Sequence, residues 1–203
     1  MPNNSSTGGY LFPSGNPPEG AALMDLIQTW LVNLSGLTGD KVRPVWQSEP
    51  PNIPVEGTCW AAFRVGPRES DAYPYQKHDP AASAGAGVDE MHRHETLPLL
   101  VSVYDTGVTG QADNTAALIR DNAVVPQNLE VLTLAGMGLV STGNITPVPS
   151  LLKERWLYRV DVEIKLRRVI TRQYPVENVD SAQATLYTDT GLPPVPINVQ
   201  PPA

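Results

Sequence analysis

The chain has 203 residues, of which 41% are apolar and one is cysteine, and a net charge of −7 from 21 acidic and 14 basic side chains. That suits one modest core with extensions, or at most two small domains, and the lone Cys59 excludes an intramolecular disulfide. An acidic body argues against a general nucleic-acid coat, and no window reaches the roughly 18 apolar residues of a membrane-spanning helix.

The opening MPNNSSTGGYLFPSG is polar, with neither a basic n-region nor an apolar run, so no secretory signal is expected and a soluble protein made in the cytoplasm is. Of the 21 prolines, four lie in the first 18 residues and five in the last 11. Such ends suit extended arms or disorder, not helices or central strands. The expected organisation is an extended arm over 1–20, one domain over 21–187 and a Pro-rich tail over 188–203.

Asn16 as a cap, Pro17 at the first helical position and Glu19 predict a helix start. Leu23, Leu26, Trp30 and Leu34 then follow at spacings of three and four, which gives one inward face, and Gly36 is a natural stop. Residues 42–46 read as a short strand and 47–57 as a proline-studded loop. Thr58–Val65 reads as a second strand with Cys59, Ala61, Phe63 and Val65 on one face, and 66–87 as a long irregular excursion. In 90–104, Leu97, Leu99, Val101 and Val103 alternate with Thr96, Leu100, Ser102 and Tyr104. A helical stripe of Ala112, Ala116, Ile119 and Ala123 follows, then a shorter helix opened by Pro126 and closed by Gly136 and Gly138. A strand over 139–142 and a turn at Gly143–Asn144 lead into KERWLYRVDVEIKLRRVITRQ, residues 153–173, and 184–187 add a last strand.

That 153–173 stretch is the longest period-two pattern in the chain. Val160, Val162, Ile164 and Leu166 alternate with Asp161, Glu163 and Lys165. It holds seven of the 14 basic residues against three acidic ones, so it carries +4 and the remainder −11. At its adjacent Arg167 and Arg168 the alternation predicts a β-bulge that turns Val169 back into register. The whole reads as α+β: a mainly antiparallel sheet with helices on one face, a long β-hairpin arm and extended Pro-rich termini.

Little of this points to catalysis. Glu90, His92 and His94 share one face of a strand, and two His at i and i+2 can ligate a metal if His78 or Asp79 joins them, which would make a metal-dependent hydrolase. The helical H-E-x-x-H spacing is missing, and a wet strand face explains the same residues. Cys59 sits on an apolar strand face, where a thiol is usually inert. There is no G-x-S-x-G elbow, P-loop or dinucleotide fingerprint, and no cofactor is expected. The cluster Arg155, Arg159, Arg167, Arg168 and Arg172, with Trp156 and Tyr158, fits either DNA phosphate or acidic protein surfaces. Asp161 and Glu163 on the same face favour protein.

Five segments in order resemble the neck proteins, or tail terminators, of tailed bacteriophages: VRPVWQSEPPNIPVEGTCWAAFRV (42–65), DAYPYQKHDP (71–80), HETLPLLVSVYD (94–105), QNLEVLTLAGMGLVSTG (127–143) and RWLYRVDVEIKLRRVITRQYPVENV (155–179). The likeness spans about 22–187 and includes no catalytic signature. It implies a tail-terminator-like α+β domain that forms a ring, usually a hexamer, at the head–tail joint of the virion. The ring would touch the head connector or adaptor and the tail proteins, and let double-stranded DNA pass without sequence-specific binding or membrane contact. A tail-tube or adaptor subunit is the neighbouring alternative. The expected subunit contacts are Arg155, Trp156, Arg159, Arg167, Arg168 and Arg172 of the long strand together with Arg43 and Trp46; the resemblance makes Arg43, Trp46 and Trp60 family-matching positions, and core packing accounts for Trp30 and Trp60. On this reading, removing the arginines of 153–173 spares the fold and abolishes the ring.

Overall fold

A computed structural model describes residues 3–15, 17–46, 58–106, 110–152, 155–179, 182–186 and 195–199. The chain divides into two compact units: a larger one of 16–75 and 92–171, and a smaller one of 1–15, 76–91 and 172–203.

The larger unit is built on a twisted ladder of strands. They are β1 (Val42–Pro44), β2 (Cys59–Val65), β3 (Glu69–Ser70), most of β5 (Val88–Asp105), β6 (Met137–Leu152) and most of β7 (Arg155–Tyr174), in the order β1-β2-β5-β7-β6 with β3 also on β5. All pairings with a defined register are antiparallel except β1 with β2. Helices α1 (Ala21–Ser35), α2 (Gln111–Asn122) and α3 (Glu130–Leu134) supply the rest of the core. Leu97, Leu99, Val101 and Val103 of β5 and Val160, Val162, Ile164 and Leu166 of β7 are all buried, as period two predicts. They pack with Leu23, Ile27, Trp30, Leu31 and Leu34 of α1 and with Ala112, Ala116 and Ile119 of α2. Two side-chain bonds tie α1 to its neighbours: Trp30 Nε1 donates to the carbonyl of Asn128, in the 3₁₀ turn before α3 (2.9 Å), and Asn122 Nδ2 of α2 donates to the Leu34 carbonyl (2.8 Å).

Several sequence expectations change. Helix α1 begins at Ala21, after Gly20, and no side chain caps it. Asn16, the expected cap, lies outside the described residues, and Pro17 precedes the helix. Pro18 and Glu19 are drawn instead to two arginines described below. The 66–87 excursion contains β3 and β4 (Tyr75–Asp79), both paired to β5. The expected 47–57 loop falls outside the described residues apart from its flanks.

Gly143–Asn144 is not a turn. β6 runs through it, with register shifts between Leu139 and Ser141 and between Thr142 and Ile145, and pairs with β7 to Leu152–Arg155. The irregularity therefore lies on the partner strand, since Leu166, Arg167 and Arg168 face Leu139, Gly138 and Met137 in unbroken register. A Cβ at position 143 would lie 3.1 Å from the Glu163 backbone oxygen, so a larger residue would have to push β7 aside by a few tenths of an ångström where the bulge closes on it. The predicted bulge at Arg167–Arg168 is absent: the alternation continues, with Arg168 buried and Val169 exposed. The 20 residues of β7 lie between β5 and β6 in the sheet order, so the long strand serves the domain itself.

In the smaller unit, β4 pairs with the start of β5, and Ser14 bridges to Gln173 at the end of β7. The C-terminal part forms a separate two-stranded sheet of β8 (Ala182–Leu186) and β9 (Val195–Val199), so a strand occurs inside the stretch expected to be a Pro-rich tail.

Candidate functional site

The basic side chains of β7 that are described, Arg159, Lys165, Arg167, Arg168 and Arg172, do not form one patch. Arg168 points into the larger unit with its side chain 3% exposed. Its Nε donates to Glu95 Oε2 at 2.7 Å, Nη1 to the Pro18 carbonyl at 2.7 Å and Nη2 to Glu19 Oε1. Arg68 donates to the other Glu19 oxygen at 2.7 Å and lies 3.9 Å from Glu95. Two arginines thus balance two glutamates, and every Arg168 nitrogen has a partner, the condition under which a buried guanidinium is tolerated. Burial pushes the Glu19 carboxyl up, but hydrogen bonds from Arg68 and Arg168 outweigh it and hold the group below its usual range. The quartet ties the entry to α1 to β5 and β7. Arg168 is therefore a fold residue, and the expectation that it meets a neighbouring subunit is corrected: its donors are spent inside the chain.

Arg159 lies two turns of the pleat from the exposed charges of the same strand, on the sheet side opposite Val160. Its guanidinium bonds Asp161 through Nε–Oδ1 (2.7 Å) and Nη2–Oδ2 (2.6 Å), and its central carbon sits 5.8 Å from the Tyr104 ring centroid. Tyr104 in turn stacks on Trp60, its register partner across β2 and β5, at 4.1 Å and 8°. This Trp60–Tyr104–Arg159 row holds Arg159 against one face of the sheet, and the Asp161 hydrogen bonds lead the causes that raise its pKa. Trp60 Nε1 is buried without a hydrogen-bond partner among the described residues. Further along, Glu163, Lys165 and Arg167 are exposed.

The remaining sites are spread over the fold. Arg43, on edge strand β1, donates through Nε to the Asp40 carbonyl at 2.7 Å. Trp46 follows that strand and is 88% exposed. Arg155 and Trp156 pair in the backbone with Leu152 and Leu151, and their side chains lie outside the described residues. Arg172 belongs to the smaller unit and is half-buried.

The histidines have separate engagements. His92 Nδ1 meets Thr171 Oγ1 at 3.1 Å, and His94 Nδ1 meets Asp71 Oδ2 at 3.1 Å. The His94 backbone N–H, and then its ring, hold the Asp71 carboxyl below its usual range. His78 has both ring nitrogens occupied, by Asp89 and Asn178. Among the described residues no three His, Cys, Asp or Glu side chains are grouped to hold a metal ion. Cys59 is buried 3.5 Å from Thr115 Oγ1, and burial pushes its thiol up. No helix of the described residues is long and apolar enough to cross a membrane.

Sequence reasoning missed Glu95 and Arg68, and assigned Glu19 to the helix start instead of to Arg68 and Arg168. Strand parity carried the signal, because Glu95 continues the inward series Leu97, Leu99, Val101 and Arg168 continues Ile164, Leu166. Two opposite charges at inward positions of two core strands are a pair waiting to be matched.

No protein of curated function matches the chain. The model of the family described as phage neck terminator protein matches residues 21–191. That span holds α1 to α3, the strands β1 to β8, the aromatic row and three members of the buried quartet, Arg68, Glu95 and Arg168. The chain therefore belongs to the phage neck terminator proteins, structural virion proteins that work against other proteins of the phage head and tail.

Proposed function

We propose that the chain forms a closed ring, a hexamer, at the head–tail joint, where it caps the tail or neck, seats against the head connector or adaptor and leaves a channel for the genome. The observation that carries the assembly reading is Trp46, a large aromatic 88% exposed at the end of an edge strand. Tryptophan is among the residue types enriched at interface centres. Exposed Arg167 and edge-strand Arg43 are the charged members of the proposed set. Arg155, Trp156 and Arg172 stay in the proposed set as members of the same strand, and Arg159 stays in it as a guanidinium held in place by Asp161 and Tyr104. The −11 outside the long strand suits a lumen that DNA passes without sticking. Negative-stain images of the purified chain test the ring: end-on views with a central hole and sixfold order are expected. Solid particles without rotational order overturn it.

A further inference from the structure

We propose that His78, Asp89 and Asn178 form a pH-responsive latch that fastens residues 175–179 to the 80–87 loop and opens when the His78 ring loses a proton. All three lie in the smaller unit. His78 Nδ1 is 2.6 Å from Asp89 Oδ1, and Nε2 is 2.8 Å from Asn178 Oδ1. The orientation of the Asn178 amide is set independently of the histidine. Its Nδ2 donates to the Pro80 carbonyl at 3.0 Å and the Gly85 carbonyl at 2.8 Å, and a flipped amide would press Oδ1 against both. The face turned to His78 is therefore an acceptor.

Both ring nitrogens thus meet acceptors. A neutral imidazole has one donor nitrogen only, so it would set a lone pair against either Asp89 or Asn178. The imidazolium satisfies both contacts. It also answers the charge of Asp89, whose side chain is 8% exposed and whose second oxygen receives Gln76 Nε2. Proton access is open, because the His78 side chain is 40% exposed.

The loop is shaped to the latch. Asn178 N donates to the Ala86 carbonyl at 2.7 Å, and Gly87, at φ +97°, has Asn178 Oδ1 2.6 Å from where a Cβ would stand. Ser83 and Ala84 hold positive φ in the same turn. The segment so fastened leads from β7 to the β8–β9 hairpin, so the latch governs how firmly the start of that connection is held.

The charged and titratable groups on the surrounding elements do not blur the switch. Asp79 on β4 adds an attractive field, and Lys77 flanks on the same strand. Glu90 on β5 accepts from Gln173, and Glu177 accepts from Asn4. Arg172 and Tyr174 end β7, and residues 3–15 and 80–87 bring no charge. The Asn178 contact first, then Asp89, raise the His78 pKa above 6.5. A raised histidine pKa means that the latch is fully closed below the unfolded value of about 6.5 and is lost as pH rises through the higher folded value.

Hydrogen exchange of the full chain, read by mass spectrometry and corrected for intrinsic rates, tests this from about pH 5.5 to about pH 9. Protection of peptides covering 80–87 and 175–179 should fall about tenfold across a midpoint above 6.5, while peptides from 97–105 stay protected. His78→Gln should abolish the transition. Asp89→Asn, which keeps the shape but removes the anion, should lower its midpoint. Flat protection in the native chain, or a transition unchanged in either variant, overturns the latch.

Discussion

Replacing Arg168 by Met removes a guanidinium that is 3% exposed and serves Glu95, Glu19 and the Pro18 carbonyl at once. What remains is Glu95, with a side chain 11% exposed and only Arg68 near it, at 3.9 Å. Breaking a buried pair from one side in this way costs about 3–5 kcal/mol, because a charge is left without its counterion. Against a total stability of about 5–15 kcal/mol, that is a large share. For a unit of this size it corresponds to a fall in melting temperature of roughly 6–20 °C. Urea titration followed by tryptophan fluorescence, with buried Trp30 as a core reporter, gives the free energy. Arg167→Met, one residue away but exposed, should stay within about 0.5 kcal/mol of the native chain. Adding Glu95→Leu to Arg168→Met should recover a substantial part of the loss, since the stranded charge is gone. Equal effects of the Arg167 and Arg168 substitutions, or a change below about 0.5 kcal/mol for Arg168→Met, would refute the reasoning.

Arg159→Ala should cost about 1–2 kcal/mol by urea titration, from the lost contact with Tyr104 and the unpaired Asp161. Gly143→Val should cost about 1–3 kcal/mol, because its side chain meets the Glu163 backbone at the bulge of β6; thermal unfolding followed by circular dichroism reads this. Cys59 should react with an aromatic disulfide reagent at least about 100-fold more slowly in the native chain than in urea, since burial keeps the thiol protonated and out of reach.

Much of the larger unit was legible because period-two strands and the α1 and α2 stripes leave clear marks. The burial of Leu97, Leu99, Val101 and Val103 follows directly from alternation. What misled was the assumption that an inward position must be apolar. It turned Arg168 into a bulge and then into an interface residue, although its match, Glu95, stood at the inward position of another core strand. The helix start at Asn16–Pro17 failed for a related reason: Glu19 is recruited by Arg68 and Arg168, partners 49 and 149 residues away that local capping rules do not see. The turn at Gly143–Asn144 was a correct sign of irregular backbone assigned to the wrong device, because a glycine serves a bulge as readily as a hairpin. The latch at His78 was invisible in the sequence, since Asn178 lies 100 residues away and carries no motif.

The most direct measurement is the native mass of the purified full-length chain at rising concentration. A single closed species of six copies of the 21.9 kDa chain, about 131 kDa, is expected, and Trp46→Ala should shift it toward monomer with an unchanged melting temperature. A chain that stays at 21.9 kDa at every concentration, or that grows into open polymers of no fixed number, would contradict the ring.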